Sequence, residues 1–283
     1  MVEMRDLPRI LIEDIVRQGL LEDLGRGGDL TTDSIVDPGV PFKGRIVARQ
    51  AGRLSGGSIA ALAFELMDAS VRIVQVRADG AALEPGDTLM TVEGLARAIL
   101  SAERTALNFL GRLSGIATLT ARYVETVAGT DAGIVCTRKT TPGLRTLEKY
   151  AVRCGGGANH RFGLDDAVLI KDNHLAVAGS IEEAVTLVRA AIGHTVKVEL
   201  EVDTLEQLEQ ALVVGVDIVL LDNMKPETLK TAVEMVGGRA ITEASGGITL
   251  ETAAEVAATG VDYLSVGALT HSAPCLDVGL DAG

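Results

Sequence analysis

The apolar positions of this chain change rhythm about midway. In the first part, Leu11, Ile15, Leu20 and Leu24 recur at helical spacing and predict a helix over about 10–24. Strand-like runs follow at Gly44–Ala48, Val71–Val76 and Thr88–Val92, with a helix near Ile59–Met67 and a turn at Glu84-Pro85-Gly86-Asp87. From Ala96 to Val127 there is no proline, and Ile99, Ala102, Leu107, Leu110 and Leu113 keep three- and four-residue steps. This stretch reads as one or two helices, with Gly115 a candidate break. From about Gly133 short apolar runs alternate with helical segments. The runs are Ile134–Thr137, Ala167–Lys171, Val196–Val202, Ile218–Asp222, Ala240–Ala244 and Tyr263–Gly267. The helices are expected around 143–153, 180–191, 205–213, 226–235 and 250–259. The run ends recur every 20–33 residues or so, the pitch of βα units feeding a parallel sheet. Six strands are visible where a closed barrel has eight. The fold class is therefore read as α/β, an open, irregular parallel α/β barrel preceded by a mixed α/β domain.

In such barrels the carboxyl ends of the strands carry the chemistry. Here those ends hold Arg138 and Lys139, Lys171, Glu201, Asp222, Ser245-Gly246-Gly247, and Gly267. Six consecutive strand ends bearing cations, two carboxylates and two glycine turns point to a single site at one mouth. Two neighbouring carboxylates among anion-binding groups are the usual way to hold Mg²⁺ with help from substrate oxygens. Glu199 lies on the same strand face as Glu201, so either is a candidate for the inward carboxylate. Ser245-Gly246-Gly247 precedes a helix, and Ser265-Val266-Gly267 sits one βα unit later; backbone N–H groups of such turns suit phosphate. His271 and Ser272 follow as further donors.

Composition sharpens this. The 283 residues carry 26 Lys and Arg against 39 Asp and Glu, a net charge of −13. That charge argues against DNA or an anionic membrane as a partner. Aromatics at 2%, with no tryptophan, exclude stacking platforms for single-stranded nucleic acid. Yet residues 138–171 hold seven Lys and Arg against three acids, a local cationic zone suited to a small anion. Within it, Arg138, Lys139, Arg161 and Lys171, with His160, are assigned to the site, and Arg145, Lys149 and Arg153 to a solvated helix face. Cys136, Cys154 and Cys275 have neither disulfide nor zinc spacing. A signal peptide and a membrane span are not evident, so a cytoplasmic location is expected.

These residues also carry a resemblance. Thr137-Arg138-Lys139-Thr140-Thr141-Pro142-Gly143, Gly155-Gly156-Gly157-Ala158-Asn159-His160-Arg161, Leu169-Ile170-Lys171-Asp172-Asn173-His174 and Ser265-Val266-Gly267-Ala268-Leu269-Thr270-His271-Ser272 resemble the signatures of the quinolinate phosphoribosyltransferase family, as do Glu103-Arg104-Thr105-Ala106-Leu107-Asn108 and Gly28-Asp29-Leu30-Thr31-Thr32 upstream. The resemblance runs from about residue 10 to 280. It implies an N-terminal α/β sandwich domain (1–115), an open seven-stranded barrel (116–269) and a C-terminal tail (270–283) returning to the first domain, in a homodimer. It implies transfer of phosphoribosyl from phosphoribosyl pyrophosphate to quinolinate with loss of CO₂, giving nicotinate mononucleotide and pyrophosphate. Quinolinate would be held by Arg138, Lys139, His160, Arg161 and Lys171, with Arg104 reaching in from the partner subunit. The donor's phosphates would lie on Ser245, Gly246, Gly247, Val266, Gly267 and His271. Lys139, Glu201 and Asp222 would be catalytic, the two acids holding Mg²⁺ directly or through water or substrate.

Two rival readings use the same residues. One makes Lys139 or Lys171 a Schiff-base lysine of an aldolase-type lyase. The other is a non-catalytic relative associated with molybdenum transport, expected to depart around 159–161 and 171–174, where this chain keeps the enzyme's form.

Overall fold

The computed structural model describes residues 5–283 and divides into two compact units. In chain order, a 3₁₀ turn at Arg9–Leu11 leads to α1 (Glu13–Leu24), α2 (Leu30–Ile35), β1 (Pro41–Ala48), β2 (Gly52–Arg53), α3 (Gly57–Met67), β3 (Arg72–Gln75), β4 (Ala82–Leu83), β5 (Thr88–Leu95) and α4 (Ala96–Thr126). Then come β6 (Gly133–Val135), α5 (Arg145–Cys154), β7 (Val168–Ile170), α6 (Asp172–Ala178), α7 (Ile181–Ala191), β8 (Val198–Val202), α8 (Leu205–Val214) and β9 (Ile218–Asp222). The chain ends with α9 (Pro226–Val236), β10 (Ile241–Ser245), α10 (Leu250–Ala257), β11 (Tyr263–Ser265), α11 (Ala268–His271) and β12 (Val278–Ala282).

The first unit comprises the chain up to Ala121, residues 140–156 and residues 269–283. Its sheet runs β12-β1-β5-β3, all antiparallel, beside the small β2-β4 hairpin. The tail strand β12 pairs along β1 from Gly44–Ala282 to Ala48–Val278. Helix α3 buries Ile59, Leu62, Ala63 and Phe64 in the core of this unit. Gly115 does not break α4. The tail crosses there, and a Cβ on Gly115 would lie 2.0 Å from the carbonyl oxygen of Pro274. The glycine serves close approach of two backbones rather than flexibility.

The first unit runs on to Ala121 and takes in α5, although the sequence of α5 sits between two barrel strands. The solvated face expected of α5 is partly wrong. Arg153 is exposed, but Lys149 is 1% exposed and Glu148 fully buried. Glu148 accepts from Arg112 Nη2 at 2.8 Å and from Thr141 N–H and Oγ1–H at 3.0 and 2.9 Å.

The second unit, residues 122–139 and 157–268, is built on six parallel strands in the order β6-β11-β10-β9-β8-β7. Consecutive strands β6 and β7 lie at opposite edges, so the barrel is open between them. The seventh strand implied by the resemblance is reduced to one bridge: Ala158 pairs parallel to Val135, donating its N–H to Ile134 O at 2.8 Å. The glycine run before it, Gly155-Gly156-Gly157, has little propensity to extend that pairing. On β8, Val198, Leu200 and Val202 are buried on one face, while Glu199 and Glu201 turn to the other. No described helix is long and apolar enough to cross a membrane.

Candidate active site

A cavity of about 420 Å³ opens at the carboxyl ends of the barrel strands. Its wall takes Thr137, Arg138 and Lys139 after β6, His160 and Arg161 from the bridge segment, and Lys171 after β7. Glu201 of β8, Asp222 of β9, Glu243 and Ser245 of β10 and Ser265 of β11 complete it. Residues more than a hundred positions apart thus meet around one opening, because parallel strands deliver their ends to the same side.

Within the mouth, Lys171 Nζ makes a close ion pair with Glu201 Oε2. Lys171 also starts α6: its N–H donates to His174 Nδ1 at 2.9 Å, so His174 acts as a helix cap. Arg161 is anchored through Nη1 to Ala167 O at 3.1 Å. Burial, then the neighbouring Arg138 charge, holds its guanidinium below the usual arginine value. The Nε atoms of Arg138 and Arg161 are buried without a hydrogen-bond partner. Two desolvated guanidinium groups forced together are a strong anion site, since a bound carboxylate relieves both penalties. Asp222 accepts from Asn223 Nδ2 at 2.6 Å, and Asn223 N–H donates to Ser245 O at 2.9 Å, linking the ends of β9 and β10.

The turn after β10 places Gly246 and Gly247, both exposed, at φ of +94° and +61°. Just after β11 the N–H of Val266 donates to Val135 O at 2.9 Å, so that group is engaged with the end of β6 and is not available to a phosphate. Gly267 is half-buried at the same strand end. Arg104, on α4, and His271, whose Nδ1 lies 2.7 Å from Ser272 Oγ, are exposed in the first unit.

Glu199 and Glu201 share a strand face but lie at different depths. Glu201 borders the mouth, and Glu199 lies below it facing His160. Two participants have no place in the sequence reading, Asn223 and Glu243. Asn223 gives no signal, being a loop residue outside any recognised pattern, whereas strand alternation places Glu243 on the same face as Ser245. Ser265, expected in the second glycine turn, lines the same wall.

An open α/β barrel whose mouth gathers four cations and a carboxylate pair is an enzyme fold arranged for small polyanionic substrates. Family models for quinolinate phosphoribosyl transferase match the chain over residues 29–114 (N-terminal domain) and 116–281 (C-terminal domain), and the chain belongs to this family. It is 48% identical over 273 residues to the nicotinate-nucleotide pyrophosphorylase [carboxylating] of Mycobacterium leprae, covering 95% of this chain and 96% of that protein. The crystal structure of NadC from Streptococcus pyogenes superposes with a TM-score of 0.94 at 42% identity, covering 99% of each chain. The nicotinate-nucleotide pyrophosphorylase structure from Francisella tularensis gives 0.95 at 36% identity over 100% of both.

Proposed function

We propose that this enzyme transfers the phosphoribosyl group of phosphoribosyl pyrophosphate to quinolinate and releases CO₂, yielding nicotinate mononucleotide and pyrophosphate for de novo NAD biosynthesis. The observation that carries the reading is the convergence of Arg138, Lys139, Arg161 and Lys171 with Glu201 and Asp222 on one cavity.

The chemistry follows from those groups. A pyridine dicarboxylate is a dianion, and the paired guanidinium groups of Arg138 and Arg161, with Lys171, are suited to its two carboxylates. The ring nitrogen is itself the nucleophile, so the site needs no serine, cysteine or base. Attack at the anomeric carbon builds positive charge on the ribose, which the carboxylates of Glu201 and Asp222 stabilise. Lys139, exposed at the rim, is placed to neutralise the leaving pyrophosphate. Once the nitrogen is quaternised, its positive charge stabilises the electron pair left as CO₂ departs.

The donor set at the mouth fits Mg²⁺: two carboxylates on adjacent strands leave room for the substrate oxygens and waters this ion prefers. Glu201 and Asp222 would hold it, directly or through water or substrate, and it would screen the charge of the pyrophosphate. In the same reading the enzyme is a homodimer in which Arg104, exposed on α4, reaches the neighbouring site. For Lys171 the Schiff-base alternative is disfavoured by its ion pair with Glu201, which keeps the amine charged; for Lys139, borohydride trapping with a carbonyl substrate tests it.

The test is an assay for CO₂ and nicotinate mononucleotide with the donor and Mg²⁺, comparing quinolinate with nicotinate as acceptor. Quinolinate is expected to support turnover; turnover with nicotinate alone, or with neither, would overturn the assignment.

A further inference from the structure

Glu243 lies on β10 two residues before Ser245, so the pleat that turns Ser245 toward the mouth turns Glu243 to the same side, one layer deeper. It is 5% exposed, yet borders the mouth cavity. Its Oε1 and that of Glu199 are buried without a hydrogen-bond partner. The two carboxyl groups flank His160, whose Nε2 is 3.0 Å from Glu199 Oε2 and 3.5 Å from Glu243 Oε1. The other ring nitrogen, Nδ1, accepts the N–H of Arg161 at 2.7 Å. That bond requires a lone pair on Nδ1, so the ring is the neutral tautomer with its proton on Nε2.

Two consequences follow. A metal ion between these three side chains would need the Nε2 lone pair, which this tautomer lacks, so the cluster is not built for a metal. The imidazole also supplies no full positive charge, and two adjacent carboxylates in a dry interior do not both ionise. Burial, then the charge of Glu199, pushes Glu243 up to about 7. Glu243 is thus a carboxylic acid facing the chamber in which the dicarboxylate is decarboxylated.

We propose that Glu243 is the acid that protonates the ring carbon from which CO₂ departs, an inference that rests on the reaction assigned above. The bond from that carbon to the leaving carboxylate breaks, and its electron pair stays on the carbon beside the quaternised nitrogen. The Glu243 proton moves to that pair, forming the new C–H bond and leaving Glu243 as a carboxylate. Water then returns the proton, so one proton is consumed per CO₂ released. A route for that water exists on the far side. A second cavity of about 380 Å³, lined by Thr195, Lys197, Ile218, Ile241 and Tyr263 at the amino ends of the strands, also touches Glu243. Recharging therefore does not require the mouth to empty.

The experiment is a single-turnover measurement of pyrophosphate and nicotinate mononucleotide in wild type and Glu243→Gln, which keeps the side chain's size and removes the acid. Mononucleotide formation is expected to fall by about 10²–10⁴, the range for losing a general acid. Pyrophosphate release and the KM for quinolinate should stay within about threefold. Equal loss of both products would mean that Glu243 only supports the site, and wild-type formation of the mononucleotide would likewise overturn the proposal. A second readout needs no variant. In the wild type, mononucleotide formation should decline as pH rises through about 7, where the acid form is lost. The groups acting on Glu243 in that titration are Glu199 of β8 and His160, with Ser265 the polar neighbour. A flat profile over about pH 6 to 9 would overturn it. Wild type that releases no CO₂ from quinolinate would instead sink the reaction itself.

Discussion

Asp222 owes its position to the residue after it. Asn223 has φ +53°, a left-handed conformation that asparagine tolerates better than most residues, and from there its side chain reaches back to the Asp222 carboxylate. Gly246 leaves the space that Asn223 needs: a Cβ there would lie 2.1 Å from Asn223 Oδ1 and 2.9 Å from its backbone nitrogen. Gly246→Ala should therefore cost about 1–3 kcal/mol in left-handed strain and also dislodge the group that orients Asp222. Gly247→Ala carries similar strain, with φ +61°, but meets open space. Urea denaturation and kcat on the two variants separate these effects. Both should lose stability, and the Gly246 variant should lose about tenfold or more in kcat beyond the other. Equal activities would mean that Asp222 does not depend on Asn223. At this scale the sequence exposed every charged group of the mouth except Glu243, because strand ends in a parallel barrel are predictable places. Asn223 stayed hidden because a backbone conformation, not a residue type, makes it useful.

Among elements, α5 teaches the most. Arg145, Lys149 and Arg153 read as a solvated face because charges on a helix usually face water. In the first unit Lys149 turns inward while Arg153 stays exposed, and the neighbouring Glu148 is a fully buried acceptor for Arg112 and for both donors of Thr141. Arg112 also donates to Ala273 O at 3.1 Å and to Thr270 O, so this one pair ties α4, α5, the 140–143 loop and the tail of the first unit. Glu148→Gln should destabilise by about 3 kcal/mol, since it leaves a half-buried guanidinium without its counter-charge. A change under about 1 kcal/mol in chemical denaturation would show that water already shares the pair. The regular βα elements were legible because short apolar or alternating runs recur at a steady pitch between helical segments. Strand β12 was not: Val278-Gly279-Leu280-Asp281-Ala282 has weak intrinsic preference and becomes a strand by pairing with β1.

For the molecule as a whole, two fields of opposite sign act on the same substrates. The chain carries −13, while the mouth presents Arg138, Lys139, Arg161 and Lys171 against Glu201, Asp222 and a Glu243 whose ionisation burial disfavours. Which field an approaching anion feels depends on screening. At about 0.01 M salt the Debye length is roughly 30 Å, so the substrate responds to the net negative charge and is repelled. At about 0.15 M it is roughly 8 Å, short enough that only the cationic mouth is felt. At about 1 M it is roughly 3 Å, and attraction at the mouth is itself screened. The value of kcat/KM for both anionic substrates is therefore expected to pass through a maximum at intermediate salt, with kcat nearly constant. Steady-state kinetics across that range at fixed free Mg²⁺ tests this. A monotonic fall from the lowest salt would mean that the mouth dominates at every distance and that the surrounding acidic surface has no part in selecting what enters.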